Sequence, residues 1–387
     1  MDVFLDSGWN LTKEDAQMYH ANHQSHRLVS TGLRIMAMAL VAAGWLSHPM
    51  QVSAEQVGPF GSVSVDANLA RYNPQTQVAG TVKVRGSETM YPLLSRLTLE
   101  FQRRQPKVSV DVKGGGSTKG IEEFLQPPLY KTGKVVLREE RANQFWFLAS
   151  SRELFDSEIK QFVTENGYEP LAVPVAVDAV ALYVHKDNPL PGLTLDQIDA
   201  MFSTTRKRGA KTALNQWGQL GLSDGWEQSQ ITLYGRDRRS GTRAFFQEHV
   251  LAGGDFVPTL HEEPGAASVI LNLGRDQHGI GYSGLGLQTS TVRVVPLAEN
   301  EGMPYVTPSS VTIADETYPL RRVLYLYVNK DPKGSIPAAA KEFLAFVMSQ
   351  EGQEAAIKAG FFPLPMNQIS KTAVALGGTA VPSTVQQ

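Results

Sequence analysis

Three short stretches of this chain concentrate hydroxyls, glycines and main-chain N–H groups where a strand-like pattern gives way to a helical one. Tyr234 to Thr242 reads YGRDRRSGT and runs into AFFQEHVL. There Ser240, Gly241 and Thr242 combine two hydroxyls with helix-start N–H groups that have no intrahelical acceptor, and Arg236 adds a guanidinium fork. Gly86-Ser87-Glu88-Thr89 follows TVKVR, and Gly114-Gly115-Gly116-Ser117-Thr118 follows VSVDVK. Taken singly, a GSxT or GGGST turn is what a helix cap or a tight turn requires. A cap needs no arginine, however, and three junctions of the same chemistry point to one shared site for a tetrahedral oxyanion.

Enzyme signatures fail on inspection. GGGSTKG lacks the Gly-Lys-Ser/Thr of a nucleotide P-loop. Ser117 and Ser283 lack the second glycine of a nucleophile elbow, and neither has a histidine partner in sequence. His20, His23 and His26 share helical spacing but precede the expected processing site, while His185, His249, His261 and His278 stand isolated, so no metal site and no cofactor is expected. With no cysteine in 387 residues, disulfides, thiolate ligands and a lipid-modified N-terminal cysteine are excluded.

The chain is 42% hydrophobic, enough for a sizeable core of two compact units, and its net charge of -2 gives no footprint for nucleic acid. The main basic cluster, RKRGAK at Arg206 to Lys211, reads as a solvated loop. Trp217, Trp226, Phe245 and Phe246 read as core residues.

Near the N-terminus, His26, Arg27 and Arg34 precede a twelve-residue apolar stretch, Ile35 to Leu46, too short for an ordinary membrane span. Val52-Ser53-Ala54 then offers small residues at signal-peptidase spacing, so cleavage is expected after Ala54 and export follows. Roughly 25 residues precede the charged region, long for a secretory signal, which makes Met18 the alternative start.

The elements that must position the three turns follow from periodicity. Residues 55–77 lack it and read as a flexible or loosely attached leader. The folded body is expected from Val78, with a helix carrying Leu93, Leu94, Leu97 and Phe101. A second strand spans Lys107 to Val112, an irregular excursion runs from Gln126 to Asn143, and FWFLAS is a buried strand. The near-continuous β pattern LAVPVAVDAVALYVHKDNP is long enough to cross between two lobes, and YPLRRVLYLYVNKDP has the same character. Strand–helix alternation predicts an α/β fold. The expected division is an N-terminal extension and signal peptide at 1–54, the leader at 55–77, lobe 1 at 78–177 and 293–370, lobe 2 at 178–292, and a polar tail at 371–387.

In their order, KVRGSETMYPLL, GGGSTKGIEEF, SSREL, DAVALYVHKDNP, YGRDRRSGTRAFF, GIGYSG, YPLRRVLYLYVN and SQEGQEAAIKAGFFPL resemble the phosphate-binding proteins of ABC importers, from about Val82 to Leu364. The resemblance implies a two-lobed periplasmic-binding-protein fold of type 2, each lobe a mixed sheet flanked by helices, joined by two crossing strands. It implies a periplasmic, monomeric, non-enzymatic protein that closes on inorganic phosphate and passes it to a membrane ABC permease. By matching motif, Ser87, Thr89 and Ser117 would hydrogen-bond the ligand, Arg236 would pair with its charge, and Ser240, Gly241 and Thr242 would give hydroxyls and main-chain N–H groups. The rivals are a receptor or sensor for sulfate, arsenate or molybdate, a serine phosphoester hydrolase using Ser87 or Ser117, and an adhesin with a decayed pocket.

The resemblance is broken at one point. Many relatives place an aspartate four residues before Ser-Ser-Arg, where it accepts the proton of monohydrogen phosphate and rejects sulfate. Here that position is Trp146, and no carboxylate lies between Gln144 and Arg152. Glu88, Glu139 and Glu140 are the candidate replacements.

Overall fold

The structure is a computed structural model that describes residues 56–58, 61–74, 76–126, 146–287, 289–330 and 334–376, all within the unit Val52–Gln387. The expected signal segment, its cleavage point at Ala54, residues 127–143 of the expected excursion, and Glu139 and Glu140 lie outside the described residues.

The chain starts with β1 (Gln56–Gly58) and β2 (Gly61–Val63), an antiparallel pair. It continues as β3 (Gly80–Gly86), α1 (Tyr91–Gln102), β4 (Val108–Lys113), α2 (Ser117–Leu125), β5 (Trp146–Ser150) and α3 (Asp156–Asn166). Strand β3 lies between β4 and β5 and is parallel to both. Helix α1 tolerates Pro92 because it stands in the first turn, where its missing N–H has no partner to lose. Leu93, Leu94, Leu97 and Phe101 form its buried stripe.

Next comes β6 (Leu171–His185), whose residues from Val175 to Val184 are all buried, which is why this segment reads as a continuous β run rather than an alternation. After it come β7 (Leu193–Thr194), α4 (Leu195–Phe202), β8 (Thr232–Arg236), α5 (Gly241–His249), β9 (His261–Glu263), α6 (Ala266–Leu273), β10 (Gly279–Gly284), β11 (Val292–Val295) and β12 (Leu297–Ala298). The remaining elements are α7 (Ser310–Ala314), β13 (Arg321–Val328), α8 (Ala338–Val347), α9 (Gln350–Lys358) and α10 (Met366–Ala375).

One mixed sheet runs in the order β4-β3-β5-β13-β6-β10-β8-β9, with β11 also on β6. Strand β6 changes partner part-way along. Leu171 to Ala179 pair with β13, whereas Val180 to Val184 pair with β10. The two long apolar runs singled out in the sequence thus lie side by side at the middle of the sheet.

Two expectations are corrected. The leader is not loosely attached: Val65 and Leu69 are buried in the main core, the Tyr72 hydroxyl donates to Glu342 at 2.8 Å, and the Tyr72 N–H donates to Glu351 at 2.8 Å. Three apolar side chains scattered among polar ones were enough to dock it, though they show no period. The region after 370 is also not simply a polar tail, because α10 continues to Ala375 and buries Thr372.

Trp217 and Trp226 pack edge to face at 6.0 Å and Phe246 stacks on Tyr282 at 3.9 Å, as core residues do. In the basic cluster, Lys207 donates to the Gly253 carbonyl, and Arg208 donates to those of His249 and Val250. Those cations therefore cap the C-terminal end of α5, where carbonyls lack helical partners.

Candidate anion site

Each of the three junctions ends a strand and starts, or leads into, a helix, and backbone contacts tie them to one another. The Ser87 N–H donates to the Ala149 carbonyl of β5 at 2.9 Å, and the Gly116 N–H donates to the Gly86 carbonyl at 2.8 Å. The Thr118 N–H donates to the Arg239 carbonyl at 3.1 Å, joining the second junction to the third. Gly116 permits this through a φ of 101°, and a Cβ there would lie 2.1 Å from the Arg239 oxygen. Gly241 is needed for a similar reason: a Cβ on it would stand 2.4 Å from the Ser117 Oγ. The Thr89 and Thr242 hydroxyls are 3.0 Å apart.

So the structure gathers Thr89, Ser117, Gly241 and Thr242 directly, with Ser87 and Ser240 on the same loops. Ser87, Ser117, Ser240 and Thr242 are all buried. Glu88 is exposed, and its carboxylate accepts the Gly115 N–H at 2.6 Å, bracing the first loop against the second.

The hydroxyls are oriented by what donates to them. Ser87 Oγ accepts from the Met90 N–H at 3.3 Å, Ser117 Oγ from the Ser151 N–H at 3.1 Å, and Thr242 Oγ1 from Arg322 Nη1 at 3.0 Å. Ser240 Oγ accepts from the N–H groups of Thr242 and Arg243, as a helix N-cap does. An N–H can only donate, and a hydroxyl carries one proton, so each of these oxygens keeps its O–H for donation. A group that only accepts hydrogen bonds is the matching occupant.

Arg236 supplies charge. It is 1% exposed, and among the described residues only Nη2 has a partner, the Pro264 carbonyl at 3.1 Å, while Nε and Nη1 are buried without one. Burial, and then the neighbouring Arg322 cation, hold its pKa below the ordinary arginine value. A desolvated guanidinium with two unpaired nitrogens is costly unless an anion meets it.

The sequence reading missed three residues here. Asp178 on β6 and Arg322 on β13 face each other in register, and Arg322 Nε and Nη2 both donate to Asp178 Oδ2, at 2.9 and 2.7 Å. Their side chains are almost fully buried. A signal was available: one carboxylate in a ten-residue buried run that is otherwise apolar must find a cation, and two arginines stand in the other long β run. Ser151, whose Oγ lies 3.2 Å from that of Ser117, was also missed, because it looked like part of a strand end. Arg152 beside it is engaged by both oxygens of Glu158 at 2.7 Å. Among the described residues no group of three or more His, Cys, Asp or Glu is placed to hold a metal ion.

Comparison with known proteins agrees with this chemistry. A family model described as a PBP superfamily domain matches residues 73–351. The phosphate-binding protein PstS of Pseudomonas aeruginosa PAO1 is 38% identical over 346 residues, covering 89% of this chain and 98% of that protein. A phosphate-binding protein PstS of Staphylococcus saprophyticus is 28% identical over 294 residues, covering 74% of this chain and 81% of its own. Among solved structures, an ABC-type phosphate transport receptor from Vibrio cholerae superposes with a TM-score of 0.54 at 21% identity, covering 73% of this chain and 100% of that one. A phosphate-binding protein from Stenotrophomonas maltophilia gives 0.52 at 14% identity, covering 76% and 93%. At those identities the likeness to solved structures concerns the fold.

Proposed function

The chain belongs to the PBP superfamily, within the family of PstS phosphate-binding proteins, and from that premise we propose that it captures inorganic phosphate and delivers it to an ABC importer. Its fold is the two-lobed, type 2 periplasmic-binding-protein fold. The single observation that carries the site assignment is Arg236, a buried guanidinium whose Nε and Nη1 have no partner among the described residues, near Arg322, which itself donates to the Thr242 hydroxyl. Phosphate oxygens accept from every such group, and a dry site holds a dianion through neutral dipoles and one or two cations without the protein being basic.

In this reading Ser87, Thr89, Ser117, Ser240, Gly241 and Thr242 surround the phosphate and Arg236 pairs with its charge. Lobe 1 is placed at 78–177 with 293–370 and lobe 2 at 178–292, except that β11 and β12, which pair with β6 at Leu182–His185 and with β7, go with lobe 2. The change of partner along β6 at Ala179 and Val180 supports placing the crossing there, and capture is closure of one lobe on the other. The protein is exported and works as a monomer on the outer side of a membrane permease. It is a binding protein rather than a hydrolase: among the described residues the bonds made by Ser87 and Ser117 are to main-chain groups and to Ser151, and none is to a histidine or a carboxylate that would serve as base.

Calorimetry on protein stripped of bound ligand tests the reading, with phosphate, sulfate, arsenate and molybdate titrated in turn. Phosphate should bind tightly and one to one. Absence of phosphate binding alongside binding of another oxyanion would reassign the ligand.

A further inference from the structure

We propose that Arg322, held by Asp178, is a positioning residue that fixes the Thr242 hydroxyl as a donor to the bound anion. The inference rests on the anion-binding reading of the site. Arg322 places two of its N–H groups, on Nε and Nη2, on the single oxygen Asp178 Oδ2. A planar guanidinium so gripped has no freedom left to turn, and its Nη1 is thereby directed at Thr242 Oγ1, 3.0 Å away. The face of the Phe245 ring, 5.5 Å from the Arg322 Cζ, packs alongside.

Arginine accepts no hydrogen bond, so Thr242 Oγ1 is the acceptor in that contact and its one proton must leave in another direction. The neighbouring oxygen on hand is Thr89 Oγ1, at 3.0 Å. An anion oxygen seated between the two loops offers the same proton a charged acceptor instead, and the threonine needs no rotamer search to reach it. Gly284 on β10 adjoins the assembly: a Cβ there would be in ordinary van der Waals contact with Thr89 Cγ2, Asp178 Oδ2 and Arg322 Nη2.

The pair's location gives it a further role. Asp178 and Arg322 belong to the two long strands that adjoin at the middle of the sheet, while Thr242 begins α5. A buried ion pair is a weak stabiliser compared with apolar side chains of the same volume. Here its consequence is directional: the register of β6 against β13 sets the orientation of a ligand-facing hydroxyl on a third element.

The test is a double-mutant cycle read by calorimetry with inorganic phosphate on the full chain freed of ligand. The variants are Thr242→Val, the neutral pair Asp178→Asn with Arg322→Met, and the three changes combined. Thr242→Val and the neutral pair should each weaken phosphate binding by about ten- to hundredfold, and the combination should be no weaker than Thr242→Val by more than about twofold. Losses that multiply would mean that Arg322 acts on the ligand by another route, and would overturn the inference while leaving the site intact. Should the neutral pair fail to fold, Arg322→Lys replaces it. Lysine keeps the charge but not the fork, so it should weaken phosphate in the parent and have no further effect on Thr242→Val. A parent protein that does not bind phosphate would overturn the site reading and this inference together.

Discussion

Thr89 and Thr242 lie 153 positions apart in the chain, and their hydroxyl oxygens meet at 3.0 Å. Gly241 lets this happen, since it admits the Ser117 and Ser151 hydroxyls to within 2.4 and 2.7 Å of where a Cβ would be. Neither serine has a long flexible arm to swing aside. Gly241→Ala should therefore push the start of α5 away from α2 and cost phosphate affinity at least about tenfold, since several charge-assisted bonds of about 1.5–3 kcal/mol each would be stretched together. Titration calorimetry reads the effect, and an unchanged dissociation constant would show that the two helix starts do not act on one ligand.

Arg236 should show opposite effects on binding and on stability. Removing it takes away the unpaired charge of the site, so Arg236→Met should reduce phosphate binding by about a hundredfold or more. The same change relieves the ligand-free protein of a desolvated cation, so its thermal midpoint without ligand should stay level or rise. Adding phosphate should raise the midpoint of the parent by mass action and leave that of the variant in place. A variant that loses stability and binding in parallel would mark Arg236 as a structural residue.

The site was largely legible in the sequence because its chemistry is local. A strand that ends in Gly-Ser-x-Thr or Arg-x-x-x-Ser-Gly-Thr announces its hydroxyls, its helix-start N–H groups and its guanidinium within nine residues. Asp178 and Arg322 were harder to read for the converse reason. Asp178 sits alone in an apolar run and Arg322 follows Arg321 at the head of another, and only the pairing of β6 with β13 makes them partners. The leader misled in another way: Val65, Leu69 and Tyr72 dock it without forming a helix or strand, and period-based reading has nothing to count there.

Asp199 provides a pH signature away from the site. Its side chain is buried, Oδ2 accepts the Arg208 N–H at 2.8 Å, and Oδ1 is buried without a hydrogen bond of good geometry among the described residues. Desolvation raises its pKa above the ordinary value of 3.8. Below 3.8 the residue is protonated whether the chain is folded or not, and its contribution to stability is fully present. As pH rises through the higher folded value, the native state must ionise a buried carboxyl, and that contribution is lost. Asp199→Asn keeps the acceptor and cannot ionise. Its thermal midpoint minus that of the parent should become more positive from pH 4 to neutrality, and a constant difference would locate the titration elsewhere.

Glu88 is the described member of the three glutamates the sequence offers in place of the missing aspartate, and its geometry speaks against that role. The proton on monohydrogen phosphate is met best by a carboxylate, which accepts and cannot donate. Glu88 is exposed, and its Oε1 is already committed to the Gly115 N–H at 2.6 Å. Glutamine supplies the same acceptor with no charge. Glu88→Gln should therefore leave the ratio of phosphate to sulfate affinity within about twofold of the parent, because a neutral exposed acceptor still braces the two loops. Competition of sulfate against bound phosphate measures that ratio. Sulfate rising to within tenfold of phosphate only in the variant would make Glu88 the discriminating group, and it would place the ligand's proton at the rim of the site, not in the buried interior where Asp178 stands.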